Sequence, residues 1–281
     1  YAMNGSFVQL PESKNFCFHY SEKVTLMSTN HLGGRVIGEN QIKDEIIAFG
    51  ESQLLGLDFS DNTKSAKHDL SKLFPYAPLI IYAAPNNGPL QALRQIEKVH
   101  KIDSLSNKKI VIGFNYGTDI FRIQKHWSPE KFVPLDMSQL QRSFIIPGYH
   151  DVTLFIARLR GVKFGSTVSN AAMIRKFYGE IGDQRRNQDI DNWLSQLKNS
   201  ELQFASSKSF ILYPPYWIIG ANKRLKKKIQ KDYFELACKV FKAGIFDGTI
   251  VSELPDENTK FASDNRHFLS GALTYNQNRF C

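Results

Sequence analysis

With 281 residues, the chain suits one large α/β domain or one domain carrying insertions. Hydrophobic residues make up 42% of it, enough for a sizeable core and too many for a disordered protein, and no apolar run approaches the roughly 18 residues of a membrane-spanning helix. The formal net charge of +9 leaves anionic partners open, but no zinc finger, RNP motif or recognition helix accompanies it, so nucleic acid is not an expected partner.

Tyr1 to Ser6 lack the charged-then-apolar pattern of a signal peptide and read as a truncated start. Strand-like pieces at 16–20 and 23–27 predict a small appendage, so that residues 1–44 pack on a catalytic domain spanning 45–281. Five apolar segments, each closed by a turn signal, read as buried parallel strands: 45–50, 78–84, 108–115, 209–214 and 248–253. Leu90, Leu93, Ile96 and Val99 recur at helical spacing after the second of them. Strands alternating with helices imply a doubly wound parallel sheet, in which ligands bind beyond the C-terminal strand ends.

Residues 123–206 are long for one crossover connection and read as an insertion or cap, with helices expected near 151–160, 169–178 and 189–198. A further helix over 223–242 carries Leu225, Ile229, Tyr233, Leu236 and Val240 along one face. Its first half holds Lys223, Arg224, Lys226, Lys227, Lys228 and Lys231. That run reads either as a solvated face or as a peripheral contact with an anionic membrane or a lipid-linked glycan. Cys17, Cys238 and Cys281, odd in number and far apart, argue against a disulfide framework and a CxxC metal site. They suit a reducing compartment, which favours a cytoplasmic over a periplasmic location.

Ser52 directly follows the first apolar strand, and Gly50 is expected to permit a sharp turn before it. A serine on a strand-to-helix turn presents its hydroxyl at the sheet edge, with its own N–H positioned to stabilise an oxyanion, although serine is also a common helix cap. Asn115 ends the third strand and Gly88 lies in the loop after the second, so both are candidate oxyanion donors; Asn115 also has the character of a turn cap. Asp264 precedes His267 by three residues, a spacing that lets a carboxylate orient one ring nitrogen while the other faces a serine.

Taken in order, Gly50-Glu51-Ser52, Gly88, Gly113-Phe114-Asn115 and Asp264-x-x-His267 resemble the blocks of the SGNH (GDSL-type) hydrolases, and Thr29 to Arg35 resembles a segment found before the serine block in bacterial carbohydrate-modifying members. The resemblance spans roughly residues 29–280. It implies a three-layer α/β/α sandwich of SGNH or flavodoxin-like type around a central parallel sheet of about five strands, plus the insertion. It also implies Ser52 as nucleophile, His267 as base, Asp264 as its orienter, and Ser52, Gly88 and Asn115 as oxyanion donors. Two departures stand out. Glu51 occupies a position where the family usually has Asp, and Pro89 restricts Gly88, which makes Asn87 a substitute donor.

The chemistry so implied is attack on an ester carbonyl through an acyl-Ser52 intermediate, with no metal or organic cofactor required. Water as acceptor makes the chain an esterase on O-acetylated carbohydrate or a small ester, which is the first reading. A sugar hydroxyl makes it an O-acetyltransferase, and a degenerate site makes it a binding protein. Trp127, Tyr213, Tyr216 and Trp217 lie in loops suited to stacking on sugar rings or, equally, to packing at the rim.

Overall fold

The computed structural model describes residues 2–3, 6–7, 16–20, 23–37, 45–56, 70, 73, 78–84, 87–123, 183–216, 218, 221–256, 259 and 275–277. The strands are β1 (Ala2–Met3), β2 (Ser6–Phe7), β3 (Phe16–Tyr20), β4 (Lys23–Met27), β5 (Arg35–Ile37), β6 (Ile46–Glu51), β7 (Leu79–Ala84), β8 (Lys109–Asn115), β9 (Ser207–Tyr213), β10 (Gly248–Ser252) and β11 (Tyr275–Gln277). The helices are α1 (Ser52–Leu55), α2 (Pro89–Asp103), α3 (Asp119–Arg122), α4 (Asp183–Lys198) and α5 (Lys223–Lys242), with a 3-10 turn at Glu201–Phe204.

The fold is α/β, built on a mixed, mostly parallel sheet of seven strands in the order β11-β10-β9-β8-β6-β7-β5. The five expected strands form its continuous parallel centre. They read as unbroken apolar runs because both faces of each are covered: Ile46, Ile47, Ala48 and Phe49 are all buried, as are Ile110, Val111 and Ile112. Antiparallel β5 and β11 close the edges. Arg35–Ile37 therefore belongs to the main sheet, while β3 and β4 pair separately as an antiparallel hairpin.

Counted along the chain, the parallel strands lie in the spatial order second, first, third, fourth, fifth. The order reverses between β6 and β8. In open α/β sheets, the two connections leaving such a pair diverge to opposite sides and open a crevice at the C-terminal strand ends.

Helix α5 runs over the whole 223–242 span, started by Asn222, whose side chain accepts from the Leu225 N–H. It buries Ile229, Tyr233, Leu236, Ala237 and Val240, with Ile229, Leu236 and Val240 each contributing about 1.5–3 kcal/mol. Leu225, expected on that face, is only partly buried because it sits in the first turn, before the helix settles onto the sheet. In α2 the apolar stripe is likewise shifted: Gln91, Ala92, Ile96 and Val99 are buried, while Leu90 and Leu93 are partly exposed. Helix α4 begins six residues before the expected 189, at Asp183. The expected helices at 151–160 and 169–178 lie outside the described residues.

Cys238 on α5 is disulfide-bonded, a bond that the number and spacing of the cysteines, read against a disulfide framework, did not anticipate. Wide sequence spacing carries no information about which cysteines the fold brings together. No helix among the described residues is long and apolar enough to cross a membrane.

Candidate active site

Ser52 opens α1 immediately beyond β6, at the reversal of strand order. Phe49 of β6 pairs in register with Ile112 of β8, and Ser52 and Asn115 each follow three residues later, at the C-terminal ends of these neighbouring strands. Helix α1 is a single turn held down from both ends. Leu54 drops into space left by two glycines on adjacent strands: a Cβ at Gly50 would lie 2.8 Å from Leu54 Cδ2, and one at Gly113 would lie 3.1 Å away. The expected role of Gly50 in a sharp turn is thereby corrected. Gly50 sits within a regular strand and does not adopt a left-handed conformation; what the position requires is the missing side chain. At the other end, Gly56 adopts the left-handed region (φ 69°), and buried Arg35 donates from Nη1 to the Leu55 and Gly56 carbonyls at 2.7 and 2.9 Å. The Thr29–Arg35 motif thus has a structural function here. Its arginine secures the helix that presents Ser52.

Ser52 is buried, and its Oγ donates to Glu51 Oε2 at 2.6 Å. The other carboxylate oxygen, Oε1, accepts the Gln53 N–H at 2.8 Å and caps α1. Glu51 therefore both caps the turn and holds the serine hydroxyl.

A second carboxylate and one arginine complete a buried ionic cluster. Arg122 Nη1 donates to the Asn87 carbonyl at 2.7 Å and to Asp119 Oδ1 at 3.2 Å, and lies 3.9 Å from Glu51 Oε2. Asp119 Oδ2 accepts the Asn115 N–H at 2.8 Å. Two carboxylates share one guanidinium away from water, so one of them is driven to hold a proton. Burial raises the Asp119 pKa to about 8; Arg122 opposes this and the nearby Glu51 charge adds to it. Through Arg122 the loops after β6, β7 and β8 are tied together.

The Asn115 side chain accepts the Gly117 N–H through Oδ1 at 3.0 Å. It caps the turn, and this contact fixes the amide so that its nitrogen faces away from the turn. Gly88 N-caps α2 in extended conformation (φ −136°, ψ −175°), as expected before Pro89, and its N–H donates to Gln91 Oε1 at 2.9 Å. Asn87 is 2% exposed, and its Nδ2 is buried with no hydrogen-bond partner among the described residues.

Tyr213 and Tyr216 are 2% and 7% exposed. Their rings belong to the core, so packing accounts for them and the sugar-stacking expectation does not, since a stacking platform needs an open ring face. Asp264, His267, Trp127 and Trp217 lie outside the described residues.

Comparison of the chain with protein-family models and with curated proteins finds no match. The site is read on its own chemistry. Sequence reasoning noted Glu51 only as a departure and missed Arg35, Asp119 and Arg122. One local signal was present: Asp119 and Arg122 stand at helical i,i+3 spacing just after the Asn115 strand end. Their link to Glu51 exists only in three dimensions.

Proposed function

We propose that the protein is a serine-dependent acyl-ester hydrolase acting on O-acetylated carbohydrate through an acyl-Ser52 intermediate, on a three-layer α/β/α sandwich of SGNH type. The observation that carries this reading is the placement of Ser52 and Asn115 at the C-terminal ends of the neighbouring strands β6 and β8, where the strand order reverses. A nucleophile needs amide donors fixed in advance around the oxygen on which charge develops, and the position of Asn115 at this strand end supports that role.

In the proposed reaction, the Ser52 hydroxyl leaves Glu51 and gives its proton to His267 as Oγ bonds to the ester carbon. The carbonyl electron pair moves onto oxygen, where amide donors hold it. Collapse expels the alcohol, which takes the proton from the imidazolium, and water then repeats the sequence to release acetate. Asp264 keeps the imidazole oriented.

The exposed cations at the start of α5 support a contact with an anionic partner, such as a membrane surface or a lipid-linked glycan. Lys223, Arg224, Lys227 and Lys228 crowd a helix start that has no acidic residue in its first turn. There they oppose the helix dipole and repel one another at i,i+4, an arrangement that local helix stability does not favour. The disulfide at Cys238 supports an oxidising compartment such as a periplasm, in place of the reducing one drawn from cysteine spacing.

The test is incubation with a chromogenic acetyl ester, with mass analysis of Ser52 during turnover. An acetyl adduct on Ser52, absent in Ser52→Ala together with a loss of turnover on the order of 10³-fold or more, is the expected result. Equal turnover by Ser52→Ala eliminates the nucleophile. Acetyl groups diverted to an added oligosaccharide in place of acetate release make the chain an O-acetyltransferase. A folded protein that never acylates is a binding protein.

A further inference from the structure

We propose that the side-chain amide of Asn87, and not the backbone N–H of Gly88, is the oxyanion donor supplied by the loop after β7; this rests on the acyl-Ser52 reading above. The two candidates are adjacent in sequence and differ in what the fold has already done with them. The Gly88 N–H is engaged by Gln91 Oε1 at 2.9 Å at the start of α2. Donating to a substrate would mean breaking that bond in every cycle.

Gly88 has another reason to be glycine. A Cβ there would stand 2.5 Å from Arg122 Cβ and 3.0 Å from Arg122 Cδ. The position is empty so that the arginine stem can cross it.

Asn87 presents the opposite case. Its backbone carbonyl is held by Arg122 Nη1 at 2.7 Å, and the same nitrogen lies 3.9 Å from the Glu51 oxygen that accepts the Ser52 hydroxyl. The backbone of Asn87 is thereby linked to the nucleophile through Arg122 and Glu51. Its Nδ2 is nevertheless buried and without an acceptor among the described residues. A buried donor left unmade is costly, and folded proteins seldom keep one where the site has no use for it. An acceptor that appears only when the carbonyl oxygen becomes charged satisfies this donor in the transition state and not before. That is the condition for an interaction that raises turnover without tightening substrate binding.

The experiment compares Asn87→Ala and Asn87→Asp with the wild-type chain on the same acetyl ester, reading kcat, KM and thermal melting. Asn87→Ala is expected to lower kcat by about 10²–10³-fold with KM little changed. Its melting temperature should not fall, because the substitution removes a donor that has no partner among the described residues. Asn87→Asp keeps the shape and replaces the donor with an acceptor, and should lose at least as much turnover. It also covers the case in which Asn87→Ala fails to fold. Wild-type-like kcat in either folded variant, or an effect confined to KM, overturns the assignment. If the wild-type chain itself forms no acetyl-Ser52, the acyl-serine reading fails; if it does and the variants match it, only the Asn87 donor fails.

Discussion

Two side chains tie strand ends together along the same edge of the sheet, and they do it with different chemistry. On the β9–β10 side, the Tyr233 hydroxyl lies against the Leu212 and Ser252 carbonyls at 2.8 and 2.9 Å. Tyr233 is fully buried, stands edge-on to Tyr116, and burial holds its pKa well above the ordinary range, so the clamp stays neutral. On the β6–β7–β8 side the corresponding joint is Arg122, with two carboxylates and a peptide carbonyl around it. A neutral hydroxyl is enough to pin two strand ends. The charged joint is therefore more than fastening requires, and burying ions without an excess of stability is characteristic of sites that perform chemistry.

Arg122→Met tests this contrast most severely. It leaves Glu51 and Asp119 facing each other without a cation, and is expected to cost about 3–5 kcal/mol in chemical denaturation. A loss of about 1 kcal/mol or less would mean that the cluster is screened and that Arg122 does no more than Tyr233.

Asp119→Asn sharpens the comparison through pH. Unfolded, Asp119 titrates in the ordinary carboxylate range; folded, it keeps its proton up to about 8. Between those limits the folded chain binds more protons than the unfolded one, so stability is full at the acid end and declines as pH rises toward 8. Asp119→Asn should flatten that decline by up to about 1.4 kcal/mol per pH unit, the slope set by one proton, read from denaturation midpoints at successive pH values. A pH dependence identical to wild type would show that Asp119 is already ionised.

Tyr233→Phe is the mildest of the three. It removes a hydroxyl and keeps the ring, and is expected to cost about 1 kcal/mol with no new pH dependence below 8. A loss as large as that from Arg122→Met would erase the distinction between the two joints.

Much of this was legible locally. The central strands were found to within a residue or two because a strand covered on both faces must be apolar throughout, and α5 because its 3.6-residue stripe runs unbroken from Ile229 to Val240. Edge strands β5 and β11 were not, since a three-residue segment carries too little pattern to be recognised apart from its partner. Ser52 and Asn115 were legible as strand-end residues. That Gly88 already has a partner and Asn87 Nδ2 has none among the described residues was not, because whether a donor is satisfied depends on what the fold brings beside it.

The sequence by itself determined the local elements: which stretches are extended and apolar, where helices start, and which polar residues stand at their ends. Those follow from side-chain periodicity and backbone preference over a few residues. Only the tertiary structure decided the strand order that reverses between β6 and β8, the gathering of Glu51, Asp119 and Arg122 around one buried centre, and the inward burial of Tyr213 and Tyr216. Each of these depends on groups distant along the chain competing for the same space, and on the cost of removing charge from water, neither of which a local pattern encodes.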